Sequence, residues 1–130
     1  MMEILFRGKR LDNGAWETGS LVIVRMDCHD AQYYIADKMT GYHTPVDPST
    51  VGQYTGLKDK NGQRIFEGDI AKVLQGKDKD IAYVGFENGA FMLYPKTGNI
   101  YERTLWEYWY NDWDVEVIGN ITDNPELLEK

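Results

Sequence analysis

The sequence predicts an all-β protein, a small barrel or sandwich of many short antiparallel strands with little helix. Asn-Gly pairs at 13–14, 61–62 and 88–89 mark hairpin reversals, because both residues adopt positive φ at low cost. Apolar runs of strand length recur between turn residues at spacings of about 8–12 residues. Before the C-terminal tail, no stretch of about twelve residues shows the apolar spacing of an amphipathic helix.

The N-terminal part predicts three strands in succession. "ILFRGKR" and "WETGSLVIVR" form a hairpin that reverses at Asn13-Gly14, and "YYIADKM" follows as another strand. Leu21–Val24 is apolar at every position, which predicts burial on both faces of the sheet. Prolines at 45 and 48 exclude a central strand in the middle of the chain, because proline cannot donate to a ladder.

Three hairpin or strand segments follow. "LKDKNGQRIF" is predicted to be a hairpin, "EGDIAKVL" to start a strand straight after Gly68, and "GKDKD" to be a solvated turn. "IAYVGF" and "AFMLYP" form a further hairpin around Asn88-Gly89. The glycine-rich stretch 48–69 is explained by turn chemistry and is predicted to be scaffold rather than a ligand-binding loop. Asp69 is expected to accept backbone N–H groups from a neighbouring loop.

The C-terminal part predicts one or two more strands and one helical turn. "LWEYWYNDWDVEVIGNI" is assigned to strands, and residues 112–117 alternate acidic with apolar side chains, the pattern of a half-buried strand. "NPELLEK" predicts a short terminal helical turn with Asn124 as N-cap and Pro125 at the first helical position.

Length and composition indicate a single domain, 1–130, with a possible subdivision into 1–45 and 46–130. Hydrophobic residues make up 42% of the 130 residues, enough for a packed core, and no run of eighteen apolar residues predicts a membrane span. The single cysteine, Cys28, and the lack of a secretory signal predict a cytoplasmic protein. The net charge is −7, and the segment from Tyr101 onward contains eight acidic and two basic residues. The electrostatic field of so acidic a chain repels phosphate.

Metal and cofactor motifs are missing from the sequence. The loop around Asn61 lacks the carboxylates that a calcium loop needs at its first and last positions, and no phosphate-binding P-loop occurs. "DCHD" at 27–30 and His43 lack any recognised metal-ligand spacing. We therefore expect neither a metal nor a cofactor.

An enzyme is only the third hypothesis. Glu67 and Asp69 are two residues apart and are predicted to share one face of a strand, where they could work with His29 or His43 in acid–base chemistry. The same spacing is typical of an ordinary solvated strand face. We expect no catalytic residues.

The aromatic segment 101–113 is the candidate interface. Its interleaved residues are acidic, which disfavours nucleic acid and favours packing or contact with another protein or a second copy of the chain. The candidate interface residues are Tyr101, Trp106, Tyr108, Trp109 and Tyr110.

A basic hairpin supports the alternative function. Lys58, Lys60 and Arg64, together with the bases of 7–10 if all share one face, would contact the phosphates of a nucleic acid. Asp59 lies among them, which favours an ordinary charged hairpin tip.

Three stretches carry a family resemblance. "FRGKRLDNGAWETGSL" at 6–21, "VDPSTVGQYTGLKDKNGQRIFEGDI" at 46–70 and "WDVEVIGNITDNPELL" at 113–128 resemble the YopX family, small proteins encoded by phages and prophages of mainly low-GC Gram-positive bacteria. The resemblance implies an almost entirely β fold, partly like a Src-homology-3-type barrel, and self-association. That family supplies no established activity and no catalytic residues to transfer.

Overall fold

The computed structural model describes residues 3–25 and 30–129, which are mostly β and form two antiparallel sheets. The chain divides into two compact units, Met1–Tyr54 and Thr55–Lys130. One strand, β5 (Gly52–Lys58), starts in the first unit and ends in the second.

The first unit is a meander that precedes β5. Its strands are β1 (Phe6–Lys9), β2 (Trp16–Val24), β3 (Gln32–Ala36) and β4 (His43–Pro45), followed by a 3₁₀ helix at Pro48–Thr50. The order β4-β3-β2-β1 continues to the start of β5, which pairs with β1. The predicted reversal at Asn13-Gly14 is confirmed, since Gly14 has a φ of 71° and the Arg10 N–H donates to the Ala15 carbonyl at 2.8 Å.

The end of β2 is more exposed than the sequence predicted. Ile23 and Val24 are 48% and 39% exposed, so the prediction that Leu21–Val24 is buried on both faces is wrong. Only Trp16–Gly19 pair with β1, whereas Ser20–Val24 pair with β3. Because β2 extends past β1, its last residues have a paired strand on only one side within residues 3–25 and 30–129.

Pro45 and Pro48 lie at positions where the missing N–H breaks no hydrogen bond of a central strand. Pro45 ends β4, an edge strand, and Pro48 opens the 3₁₀ helix that the Asp47 side chain caps through the Ser49 N–H. The prediction that neither proline lies in a central strand is confirmed.

The second unit contains the remaining elements. After the end of β5 come β6 (Arg64–Phe66), β7 (Asp69–Gln75), β8 (Asp78–Glu87), β9 (Ala90–Pro95), β10 (Arg103–Thr104), the helix α1 (Leu105–Tyr110), β11 (Asp114–Asn120) and a 3₁₀ helix at Pro125–Leu128. β6 lies beside β5, and the other strands form a sheet in the order β10-β9-β8-β7-β11. Within the described residues neither sheet closes on itself, so the closed barrel, one of the predicted alternatives, is not observed.

The core of the second unit lies on one face of this five-stranded sheet. Alternate residues of β7 and β8 point into it, and α1 packs against it through Leu105 and Tyr108. The core residues are Ile65, Ala71, Val73, Ala82, Val84, Leu93, Ile100, Leu105, Tyr108 and Val115. The Asn88-Gly89 hairpin is confirmed, with φ of 53° and 82° between the paired Glu87 and Ala90.

Helix α1 replaces a predicted strand. The Thr104 hydroxyl accepts a hydrogen bond from the Glu107 N–H at 3.2 Å, and this Thr-x-x-Glu spacing is a capping box. Leu105 and Tyr108 are three residues apart, so their buried side chains lie on the same side of the helix. The strand prediction failed because aromatic residues favour strands in general, whereas here the cap and this spacing decide for a helix.

The reversal at "GKDKD" is confined to Gly76 and Lys77, and the residues from Asp78 onward belong to β8.

The terminal helical turn is confirmed at Pro125–Leu128, but the Asn124 side chain does not cap it. Its Oδ1 atom accepts a hydrogen bond from the Asn120 N–H instead.

None of the helices within residues 3–25 and 30–129 combines the length and the apolar composition required to cross a lipid bilayer.

Gly19 is a position where any side chain would collide with backbone. A Cβ atom there would lie 2.2 Å from the Ala36 carbonyl oxygen in the adjacent strand. Gly19→Ala should therefore lower the free energy of unfolding by about 2–3 kcal/mol, measured by urea denaturation. The neighbouring Ser20→Ala variant is the control and should change it by less than about 0.5 kcal/mol. Equal midpoints for the two variants would contradict this close approach.

Candidate functional site

Helix α1 presents three large aromatic side chains to solvent. Trp106, Trp109 and Tyr110 are 55%, 57% and 68% exposed, and we call these three residues the α1 surface. The Trp106 and Tyr110 rings, four residues apart on the helix, stack with their centroids 4.9 Å apart. Contiguous exposed aromatic area of this kind is typical of a protein-binding surface.

Tyr108, also a predicted interface residue, faces the interior instead. It is fully buried, its hydroxyl donates to the Tyr101 carbonyl at 3.1 Å, and its ring packs edge-on against Trp113. Burial raises the pKa of Tyr108. Tyr108 is therefore a core residue that fixes α1, whereas the side chain of Tyr101 is exposed with the Arg103 guanidinium 5.8 Å from its ring centroid.

A cleft of about 220 Å³ lies beside α1, and we call it the α1 cleft. It unites the two kinds of predicted site residue, because Trp109 lines it together with Lys58 and Lys60. Its apolar lining comes from Leu57, Ile65, Leu105, Trp109, Trp113 and Val115, and its charged lining from Lys58, Asp59, Lys60, Asp112 and Asp114.

Asp59 builds one wall of this cleft. Its Oδ1 atom accepts hydrogen bonds from the N–H groups of Asn61 and Gln63, both at 2.9 Å, and its Oδ2 atom accepts one from Val117 at 3.0 Å. Asp59 is only 8% exposed. The carboxylate thus closes the β5–β6 hairpin and ties it to β11, a role that the sequence analysis missed.

The predicted basic hairpin has a mixed electrostatic environment. Lys60 Nζ lies 3.9 Å from Glu116 Oε1, and three aspartates line the α1 cleft together with Lys60. Arg64 is exposed on β6 and does not line the cleft. These nearby carboxylates weigh against phosphate as the ligand of the hairpin.

The basic residues near the N terminus make contacts within the first unit. The Arg7 guanidinium carbon lies 4.7 Å from the Trp16 ring centroid, within the range of a cation–π interaction. Arg10 forms ion pairs with Asp12 at 2.7 Å and Glu17 at 3.2 Å.

The carboxylates of the enzyme hypothesis are not arranged as predicted. Glu67 lies in the turn before β7, so it does not share a strand face with Asp69. Asp69 is 1% exposed, and its Oδ2 atom accepts a hydrogen bond from the Phe66 N–H at 2.7 Å, which confirms the predicted backbone contact. His43 is exposed on β4. Asp27, Cys28 and His29 lie outside the described residues.

A second concavity, of about 360 Å³, lies on the same unit. Lys72, Lys79 and Lys96 line it, together with Asp80, Ile81, Thr97 and Asn99. We call it the lysine concavity. This concavity could not be predicted from the sequence, because the three lysines come from separate elements. The register of the β7–β8 hairpin, which reverses at Gly76 and Lys77, places Lys72 and Lys79 on one face of the sheet.

Asp80 organises the loop beside this concavity. Its carboxylate accepts hydrogen bonds from the Ile81 N–H, from the Thr97 hydroxyl and N–H, and from the Asn99 N–H, at 2.8 to 3.3 Å. Burial by itself would raise the pKa of Asp80, but these hydrogen bonds outweigh it and hold the pKa below its usual value. The sequence predicted this residue in a solvated turn, yet it is 6% exposed.

Residues 5–129 match the YopX protein family. The chain belongs to the YopX family. The match covers both compact units, and it confirms the resemblance that was inferred from the three sequence stretches.

Two crystal structures share the fold of this YopX-family chain. Protein EF1440 from Enterococcus faecalis is 24% identical, with a TM-score of 0.61 and coverage of 99% of this chain and 100% of that one. Protein yopX from Bacillus subtilis is 21% identical, with a TM-score of 0.59 and coverage of 96% and 98%. A comparison with curated proteins finds no match.

The hydrogen bonds of Asp59 predict a large stability effect. Asp59→Ala removes the acceptor of three backbone N–H groups, and the free energy of unfolding should fall by about 2–4 kcal/mol, since bonds to a charged acceptor contribute about 1.5–3 kcal/mol each and water replaces part of them. Urea denaturation measures the change. The adjacent exposed Lys58→Ala variant should stay within about 0.5 kcal/mol of wild type, and an equally small effect of Asp59→Ala would refute the anchoring role.

The lowered pKa of Asp80 predicts a pH-dependent contribution to stability. Because the folded-state pKa lies below the unfolded value of about 3.9, the contribution is complete above that pH and disappears as the pH falls through the folded-state pKa. Asp80→Asn should therefore cost about 1.5–3 kcal/mol at neutral pH, and the gap to wild type should narrow below about pH 4. Urea unfolding at pH 7 and about pH 3 checks both expectations, with exposed Asp78→Asn as control. A gap of the same size at both pH values would contradict the assignment.

Proposed function

We propose that this YopX-family chain is a non-enzymatic, protein-binding β-domain that docks a segment of another protein at the α1 surface and in the adjoining α1 cleft. The observation that carries the proposal is the row of three exposed aromatic side chains on α1, one of which also lines the cleft. We further propose, from the family resemblance, a Src-homology-3-like part of the fold and a phage or prophage origin. The single cysteine, Cys28, supports a cytoplasmic location in a bacterial host.

The size of the cleft indicates what a partner would insert. Apolar cavities of about 150 Å³ hold a benzene-sized molecule, so about 220 Å³ accommodates one aromatic or branched aliphatic side chain. The accessible apolar residues of the lining, Leu57, Trp109 and Trp113, would make that side chain the anchor of the interaction.

The charge of the surroundings indicates what flanks the anchor. Asp112 and Asp114 line the cleft, and residues 101–130 carry a balance of −6, from eight acids and two bases. A partner with Arg or Lys beside its apolar anchor complements this charge and can place a cation over an exposed tryptophan ring. Two copies of the same acidic surface would repel one another, so a different protein is favoured over a symmetric dimer.

The positions of three buried carboxylates, one of them a candidate of the enzyme hypothesis, support a binding role rather than an enzymatic one. The carboxylates of Asp59, Asp69 and Asp80 are buried, and each accepts backbone N–H groups. Groups held in this way stabilise turns and are withdrawn from solvent. The nucleic-acid alternative through Lys58, Lys60 and Arg64 remains a prediction, and the acids around Lys60 disfavour it.

Docking at α1 can be tested by selecting peptides from a random library that bind the purified full chain. Enriched peptides should carry one aromatic or branched aliphatic residue next to Arg or Lys. Trp109→Ala should weaken their binding about 30-fold or more, corresponding to about 2 kcal/mol for a central aromatic contact, as measured by isothermal titration calorimetry.

Tyr42→Ala is the matched control, because Tyr42 is an exposed aromatic residue (72%) of the first unit and its removal should leave the affinity unchanged. Selection of no peptides, or of peptides whose binding withstands both Trp106→Ala and Trp109→Ala, would refute docking at α1. A dimer in light scattering that Trp109→Ala dissociates would also refute it in favour of self-association.

A further inference from the structure

The lysine concavity gathers three cations on the sheet face opposite the core. Lys72 of β7 is paired with Ile81 of β8, and Lys79 with Leu74. Paired residues of an antiparallel ladder share a face, and these four alternate with buried core residues such as Val73 and Ala82. Lys96 lies on the same face, because its N–H donates to the Ile81 carbonyl at 2.7 Å and this bond places the two residues opposite each other.

Two acidic residues near these cations have carboxylates that are engaged with other groups. Asp80 lines the concavity, and its carboxylate is occupied by the N–H and hydroxyl groups described above. Glu116, opposite Lys72 on β11, directs its oxygens to Lys60 and Asn61. Lys96 Nζ donates to the Leu127 carbonyl at 3.2 Å, a contact that satisfies one of its three protons and leaves its charge in place.

This positive site stands out against the charge of the chain. The net charge is −7, yet the lining of the concavity carries three positive charges and one negative charge. A concave surface of one sign raises the local concentration of the opposite ion. The volume of about 360 Å³ lies in the range of pockets for small organic ligands, so it accommodates more than a bare phosphate ion.

Two tyrosines extend the same face away from the lysines. Tyr83 lies two residues beyond Ile81 on β8 and is paired with Tyr94 on β9, with ring centroids 5.1 Å apart. Tyr83 is 37% exposed. An exposed aromatic ring beside lysines is the arrangement that binds a base next to its phosphate.

We propose that the lysine concavity binds the phosphate group of a nucleotide, with the base directed toward Tyr83 and Tyr94. The phosphate belongs either to a free nucleotide or to the backbone of a single-stranded nucleic acid, since both offer the same anion beside a base. This site is separate from the α1 cleft and from the basic hairpin of Lys58, Lys60 and Arg64.

The test uses the full chain labelled with ¹⁵N and two probes, adenosine monophosphate and an oligothymidylate of about ten nucleotides. Binding should shift the backbone amide signals of Thr97 and Asn99, which lie beside the lysines. For the oligonucleotide, the logarithm of the affinity should fall against the logarithm of the salt concentration with a slope of about −2, as expected for three contacts to a single strand.

Two double variants of equal charge locate the site. Lys72→Gln with Lys79→Gln should weaken binding about tenfold or more at low salt and reduce the slope to about −0.7. Lys58→Gln with Lys60→Gln should leave affinity within about twofold and the slope unchanged. All four lysines are exposed, so both variants are expected to fold, and their amide spectra verify it.

Shifts with the oligonucleotide alone would assign the phosphate to a nucleic-acid backbone, and equal shifts with adenosine monophosphate would assign it to a free nucleotide. If neither probe moves the Thr97 and Asn99 signals at low salt, the proposal is wrong. Equal losses in the two double variants would also overturn it, because they would indicate diffuse attraction rather than a site.

Discussion

The second unit depends on backbone hydrogen bonds to buried carboxylates. Asp59 closes the β5–β6 hairpin and reaches β11, Asp69 holds the turn into β7, and Asp80 holds the loop at 97–99. An ionised carboxylate is costly to bury unless its oxygens are hydrogen-bonded, and bonds to a charged acceptor are about twice as strong as those between neutral groups. Three short side chains therefore fix the turns on which both candidate sites are built.

These anchors determine where the chain can present function. With the turns fixed, α1 is held by Leu105 and Tyr108 on the core face of the five-stranded sheet, and its other aromatic residues are left in water. The lysine concavity forms on the opposite face, beside the loop that Asp80 holds. One small sheet thus carries an acidic aromatic surface on one side and a basic concavity on the other. Their opposite charges suit them to different ligands.

Local chemistry made much of the fold predictable. The Asn-Gly pairs produced hairpins because each of these turns places its glycine at positive φ, and Pro45 and Pro48 stayed out of central strands for lack of an N–H. The alternation at 112–117 gave the half-buried β11. Helix α1 was missed although its Thr-x-x-Glu cap is visible in the sequence. The exposure of Ile23 and Val24 could not be predicted, because it depends on how far β1 extends beside β2.

The sequence by itself determined the family, the mostly β class, the positions of the main reversals and the aromatic segment as a candidate surface. Each follows from residues close together in the chain, where turn preference and periodicity act. Only the tertiary structure decided which rings of that segment are buried, that Lys58 and Lys60 share a cleft with Trp109, and that Lys72, Lys79 and Lys96 converge. Those outcomes depend on strand register and on packing between distant segments, which local preferences do not specify.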